Sequence, residues 1–240
     1  MEHFSDKSTV QEIKARFDND VDRFSNLETG QQTTIDAAFN MELIIDSIMA
    51  HSPNLKTVLD VGCGAGNYTL KLLNRKAPLD CTLLDLSQPM LNRARERVSA
   101  VNTGAITLVQ GDIRTASLPE GHYCTIMAAA VLHHLRDDRD WEAVFTKLYR
   151  LLKPGGSLWI ADLVVQETPA IQHLVYNERY GNYLAGLKDE AYRDNVFAYI
   201  EKEDTPHSLN DQMKLLEKVG FRSVEVLHKH LCFASFGAIK

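Results

Sequence analysis

Short apolar runs alternate with amphipathic stretches through the middle of the chain. Thr57 to Val61 precedes Tyr68 to Leu73, and Cys81 to Asp85 precedes Pro89 to Val98; Ile106 to Gln110 stands alone, Cys124 to Ala129 precedes Trp141 to Leu152, and Ser157 to Leu163 ends the series. Runs of this length read as strands buried on both faces, and the longer stretches repeat their apolar residues at helical spacing. The alternation predicts an α/β fold with a doubly wound, mostly parallel sheet. Ligands of such sheets bind beyond the carboxyl ends of the strands.

The flanks follow other patterns. Ser8 to Phe24 sets Val10, Ile13, Phe17, Val21 and Phe24 at helical spacing, Asn26 to Thr34 reads as a polar loop around Gly30, and Ile35 to Met49 is helical again up to His51-Ser52-Pro53. After Asp162, residues 168–197 are rich in aromatic and charged side chains and read as a helical insertion. Leu209 to Val219 is amphipathic with Gly220 at the expected C-terminal cap, and Val224 to Leu227 and Leu231 to Ala238 read as closing strands. One domain is expected: a helical cap over 1–54, a ligand-binding core over 55–163, a helical lid over 164–206, and a terminal helix and hairpin over 207–240.

The strand ends carry the chemistry. Val58-Leu-Asp-Val-Gly-Cys-Gly-Ala-Gly66 takes an apolar strand into three glycines and then into a helix, leaving a bare backbone that a ligand can approach. Its Gly62-x-Gly64-x-Gly66 spacing differs from the G-x-G-x-x-G of dinucleotide sites. Asp85 ends the second strand, and Gly111-Asp112-Ile113 follows the third.

Together with Leu152-Lys-Pro-Gly-Gly156, these motifs resemble, in family order, the class I S-adenosylmethionine-dependent methyltransferases, over roughly Leu55 to Ala161. The resemblance implies a Rossmann-like sheet closed by an antiparallel hairpin, with S-adenosyl-L-methionine as cofactor and S-adenosyl-L-homocysteine as product. It places the methionyl part against Gly62, Cys63 and Gly64, with Asp60 orienting the turn or facing the amino group. Asp85 would accept both ribose hydroxyls, since an ionised carboxylate has two acceptor oxygens for a diol. Asp112 would take the adenine amino group, or serve only as a turn residue; Ile113 would meet the ring edge, Leu86 and Met90 its faces, and Ala129 would end the fourth strand beside the site.

In Ala129-Ala-Val-Leu-His-His134, a run common in the family, His133 is the candidate general base; in many members the run only caps the strand. Asp162 ends the fifth strand as an acceptor contact or a plain polar terminus. Gln31, Tyr176, Arg179, Tyr180 and Arg193 are candidate substrate or lid contacts, and an arginine pair suits an acidic acceptor. The chain ends also resemble carboxy-S-adenosylmethionine synthase, a relative acting in transfer RNA modification. There Arg193 lies in the region whose arginine holds the added carboxylate, but Gln31 replaces a tyrosine and Ala129 an asparagine. A small-molecule methyltransferase is the leading expectation, ahead of the synthase and of a non-catalytic scaffold.

Composition adds exclusions. A net charge of -6 gives no reason to expect strong binding to bare nucleic acid. Cys63, Cys81, Cys124 and Cys232 are scattered, without metal-site or disulfide spacing. No membrane partner, metal or secretion signal is expected; the protein reads as soluble and cytoplasmic, with homodimerisation left open.

Overall fold

The structure, a computed structural model, describes residues 7–26 and 31–240; Gly30, at the centre of the expected polar loop, lies outside the described residues. Seven strands form one sheet in the order β3-β2-β1-β4-β5-β7-β6: β1 Thr57–Val61, β2 Asp80–Asp85, β3 Ile106–Gln110, β4 Tyr123–Ala129, β5 Leu152–Leu163, β6 Ser223–His230 and β7 Phe233–Ile239. The first five are parallel, and β7 runs antiparallel between β5 and β6. All five residues of β1 are buried, as a central strand covered on both faces requires. Strand order reverses between β1 and β4, so their carboxyl ends open a crevice.

Each face of the sheet has its own core. On one, Trp141, Phe145 and Leu148 of helix Asp138–Leu151 pack with Leu216, Phe221 and Phe236. On the other, Ile44, Ile45 and Ile48 of helix Ala37–His51 pack with Leu72, Leu91 and Trp159. Helix starts are fixed by side chains: Ser87, Asp137, Asp189 and Ser208 each accept a backbone N–H of the first turn, a contact worth about 1 kcal/mol. Lys153 to Gly156 loops out of β5, since Leu152 pairs with Tyr123 while Ser157 already pairs with Thr125.

The expected helix over Ser8 to Phe24 is two helices, Val10–Asn19 and Val21–Ser25, broken at Asp20. Asp18, Asn19 and Asp20 form a run of residues whose short polar side chains compete for the helical backbone, and Asn19 indeed donates to the Ala15 carbonyl. The break leaves Phe17 and Phe24 with ring centres 5.5 Å apart.

In the lid, Pro169–Gln172 runs through a π-wound stretch, His173–Tyr180, into Gly181–Leu187, and Glu190–Glu203 returns beside it. Tyr180 and Tyr183 donate to the carbonyls of Thr33 and Gln32, and Arg16 is paired with Glu203. These contacts join the lid to the N-terminal cap.

Candidate functional site

The glycine turn is pinned to β2. The N–H groups of Gly62 and Cys63 both donate to the Leu84 carbonyl, at 2.8 and 3.0 Å. Gly62 has φ +66°, and a Cβ there would meet Val131 Cγ2 at 2.6 Å. Gly64, with φ +50°, faces open space. The first glycine serves packing and conformation, and the second leaves room beside a cavity.

Two carboxylates stand behind this turn. Asp85 accepts the N–H groups of Gly64 at 2.8 Å and Ser87 at 2.9 Å, and burial raises its pKa. Asp60 accepts the Thr69 hydroxyl at 2.6 Å; burial, reinforced by the charge of Asp85, pushes it up to about 7. Among the described residues neither has a lysine, arginine or histidine within ion-pairing distance. Buried carboxylates without a cationic partner favour a ligand that brings positive charge and hydroxyl donors.

These acids line a cavity of about 1140 Å³, open mouth included. Leu86, Met90 and Ile113 form its apolar end, with Ala129 at the end of β4. Asp112 is there too, but both its oxygens already accept from Arg114, which also reaches Asp140 at 2.9 Å. Burial acts upward on Asp112 and the bonds from Arg114 outweigh it, so the carboxyl stays below its ordinary range. Val10, Ile13, Phe17 and Phe24 of the N-terminal helices cover the cavity.

A second cavity of about 770 Å³ adjoins the first, with Phe17, Phe24, Gln31, Ala130 and His134 lining both. Arg16, Arg23, Tyr180 and Tyr199 supply its cationic and aromatic wall. Arg16 is held by both oxygens of Glu203, whereas Arg23 meets Asp20 at 3.5 Å and lies over the Phe24 ring. Ala130, at the junction, takes φ +51°, a conformation that costs an alanine roughly 1–2 kcal/mol, and donates to the Ala161 carbonyl.

A methyltransferase-domain family model matches residues 58–156. An uncharacterised methyltransferase of Mycobacterium bovis is 32% identical over 141 residues, which span 58% of this chain and 66% of that protein, just under two thirds of its length. A carboxy-S-adenosyl-L-methionine synthase of Shewanella loihica is 28% identical over 192 residues, 79% of this chain and 77% of the relative. Over residues 58–156 the chain is thus similar to methyltransferase domains of the S-adenosylmethionine-dependent class. Its fold is that of the Synechocystis magnesium protoporphyrin IX methyltransferase, solved with bound S-adenosylhomocysteine: TM-score 0.64 at 16% identity, over 96% of this chain and 99% of that one.

Against this methyltransferase frame, the residues singled out in the sequence fall into two groups. Asp60, Gly62, Cys63, Gly64, Asp85, Leu86, Met90, Asp112, Ile113 and Ala129 come together around the first cavity. In the lid, Tyr180 lines the second cavity, while Tyr176 stacks behind it on Phe197, with ring centres 4.8 Å apart. Arg179 is exposed, and Arg193 pairs with Asp194 and Glu190; neither lines a cavity.

His133, the candidate base, stands between two carboxylates. Its Nδ1 bonds Asp162 Oδ1, and its Nε2 lies 3.7 Å from Asp204 Oδ1. Burial acts downward on this imidazole, but the two carboxylates outweigh it and push it up to about 9.

Arg16, Arg23, Tyr199 and Asp204 escaped the sequence reading. A signal was present: Arg16-Phe17 recurs seven residues on as Arg23-Phe24, in step with the apolar positions of the amphipathic pattern over Ser8 to Phe24.

Proposed function

We propose that this chain transfers the methyl group of S-adenosylmethionine to a small-molecule acceptor bearing an anionic group. One observation carries the reading: a cavity with two buried, cation-free carboxylates shares a wall with a second cavity lined by arginines. Asp85 has acceptor capacity for a ribose diol, Asp60 faces the charge of the methionyl amine, and Leu86, Met90 and Ile113 form the adenine slot. The cofactor, when bound, supplies an electrophilic methyl group on a sulfonium.

The protein's work is alignment and exclusion of water. Aligning two reactants can account for about 7 to 11 kcal/mol of a barrier in favourable cases. Phe17 and Phe24 cover both cavities, and Arg23 is the cation placed to hold an acceptor anion. With His133 held by Asp162 and facing Asp204, the acceptor brings its own nucleophile in reactive form. Calorimetry with S-adenosylhomocysteine, followed by incubation of labelled S-adenosylmethionine with phenolic, hydroxy and carboxylic acids, tests the proposal. Micromolar binding with label transfer is the expected result; no binding of either cofactor form would end it.

A second reading has one favourable observation, the long alignment with carboxy-S-adenosyl-L-methionine synthase. Under it, Arg23 would hold the carboxylate added to the cofactor. The placement of Arg193 outside both cavities, with Ala129 and Gln31 replacing the asparagine and tyrosine of that enzyme, favours the methyl donor. Mass spectrometry of copurified cofactor separates the two: a species heavier by one carboxyl group selects the synthase.

A further inference from the structure

We infer that His133, His134 and Asp204 form a binding site for one divalent transition-metal ion, opening on the second cavity. The three residues come from separate parts of the fold: the histidines from the turn Leu132–His134 after β4, and Asp204 from the end of the lid helix Glu190–Glu203. The N–H of Thr205 donates to the His133 carbonyl at 2.7 Å, which ties the two segments together. Their ligand atoms all lie within 4.8 Å of one another. Asp204 Oδ1 is 3.1 Å from His134 Nδ1 and 3.7 Å from His133 Nε2. Ligands of a tetrahedral metal, each about 2.0 to 2.1 Å from the ion, stand roughly 3.4 Å apart.

Two further observations point to a cation. Asp162 Oδ1 holds Nδ1 of His133, while Asp162 Oδ2 accepts the N–H groups of Leu132 and His133 at 2.8 and 3.2 Å. A carboxylate behind the ring fixes the tautomer and turns Nε2 toward Asp204, the arrangement that supports a metal-bound histidine. Asp204 is only 5% exposed, and its Oδ1 faces both imidazoles, 3.1 Å from His134 Nδ1 and 3.7 Å from His133 Nε2. A buried carboxylate oxygen aimed at two ring nitrogens is placed to share one cation with them.

Two imidazoles and one carboxylate suit zinc, cobalt or nickel better than magnesium or calcium, which prefer all-oxygen shells. All three ligands line the second cavity, as do Arg23 and Tyr199, so the remaining coordination position is available to an anionic oxygen of the acceptor. That last role rests on the methyl-transfer reading; binding of the ion does not.

A second triad, Asp36, His228 and His230, has similar spacing, but there both histidines already bond one Asp36 oxygen, at 2.9 and 2.7 Å, and all three residues are partly or largely open to solvent. It serves as the internal control. The full chain, stripped with chelator, would be titrated with Zn²⁺ by calorimetry and with Co²⁺ by visible absorption. One equivalent should bind, and tetrahedral Co²⁺ should give intense d–d bands. Asp204→Asn, or His134→Gln if the first fails to fold by circular dichroism, should weaken Zn²⁺ binding by more than roughly tenfold. A His228→Ala/His230→Ala variant should bind as the parent does. Absence of binding to the parent, or loss only in the surface variant, would overturn the proposal. S-Adenosylhomocysteine binding, measured on the same samples, reports separately on the cofactor site.

Discussion

The two cavities are built by different means. The first rests on backbone: three glycines following β1 and carboxylates near the ends of β1 and β2, Asp85 held by main-chain N–H groups and Asp60 by the Thr69 hydroxyl. The second is assembled from side chains of the N-terminal helices, the turn after β4 and the lid, joined by Arg16–Glu203 and by tyrosines bound to cap carbonyls. A site made from strand ends has its geometry set by the sheet register. A site made between surface helices depends on how those helices dock.

The largest effect expected on this contrast is at Gly62. Alanine there must adopt φ +66° and meet Val131 at 2.6 Å, so Gly62→Ala should lose about 2 to 5 kcal/mol of stability in urea unfolding. Gly64→Ala carries the backbone strain without the contact and should lose only about 1 to 2 kcal/mol. If cofactor lies where Gly64 faces open space, Gly64→Ala will still weaken its binding. Equal stability losses in the two variants would contradict the packing role given to Gly62.

Next comes Asp85→Ala. Removing a charged acceptor of two ribose hydroxyls should weaken S-adenosylhomocysteine roughly 10- to 100-fold by calorimetry, at about 1.5 to 3 kcal/mol per such bond with partial compensation from water. A change of less than severalfold would remove the ribose contact from Asp85. The parallel change in the second cavity, Arg23→Ala, should leave that binding intact and raise KM for an anionic acceptor roughly tenfold, the value of one charge-assisted contact.

This contrast also explains what the sequence could reveal. Gly62, Asp85 and Asp112 were legible because each lies at the carboxyl end of a strand or in the turn just after it, and strand ends of a parallel sheet converge on one crevice. Arg16 and Arg23 were not, because an amphipathic pattern shows which face of a helix is apolar but not which crevice that face will cover. The lid failed for a related reason. Aromatic and charged residues at helical spacing marked an insertion, but Tyr176 turns into the aromatic packing with Phe197, and Arg193 spends its charge on Asp194. His133 was recognised as chemically important, and only the structure placed Asp162 and Asp204 on either side of it.

Asp60 gives a pH test confined to the first cavity. Its folded pKa, about 7, lies above the 3.8 expected when exposed, so the free fold retains a proton that the unfolded chain loses. Its contribution to stability is therefore complete at low pH and lost as pH rises from about 4 through 7. A cationic ligand amine favours the ionised carboxylate. Binding should accordingly release a proton below pH ~7, where such an amine is still charged, and strengthen with pH by at most about tenfold per unit. Calorimetry in buffers of different ionisation enthalpy reads this release, and Asp60→Asn should abolish it. An unchanged release in that variant would move the titration to another group.

The smallest expected effect is the most discriminating for the second cavity. Arg193 lies on the lid helix, pairs with its neighbour Asp194 at 2.8 Å, and lines neither cavity. Exposed pairs of this kind contribute about 0 to 1 kcal/mol, and substitutions away from packed sites usually stay within about 0.5 kcal/mol. Arg193→Ala should therefore shift the urea midpoint little, and cofactor and acceptor affinities by less than about twofold. The same change would be severe if the synthase reading were right and Arg193 gripped a carboxylated cofactor. In that case lid and sheet would exchange roles, with the carboxylate anchored by the lid rather than by the arginines of the N-terminal helices, and the docking of the lid would differ from the one seen here. A neutral Arg193→Ala beside a damaging Arg23→Ala assigns the anionic end of the substrate to the N-terminal cap.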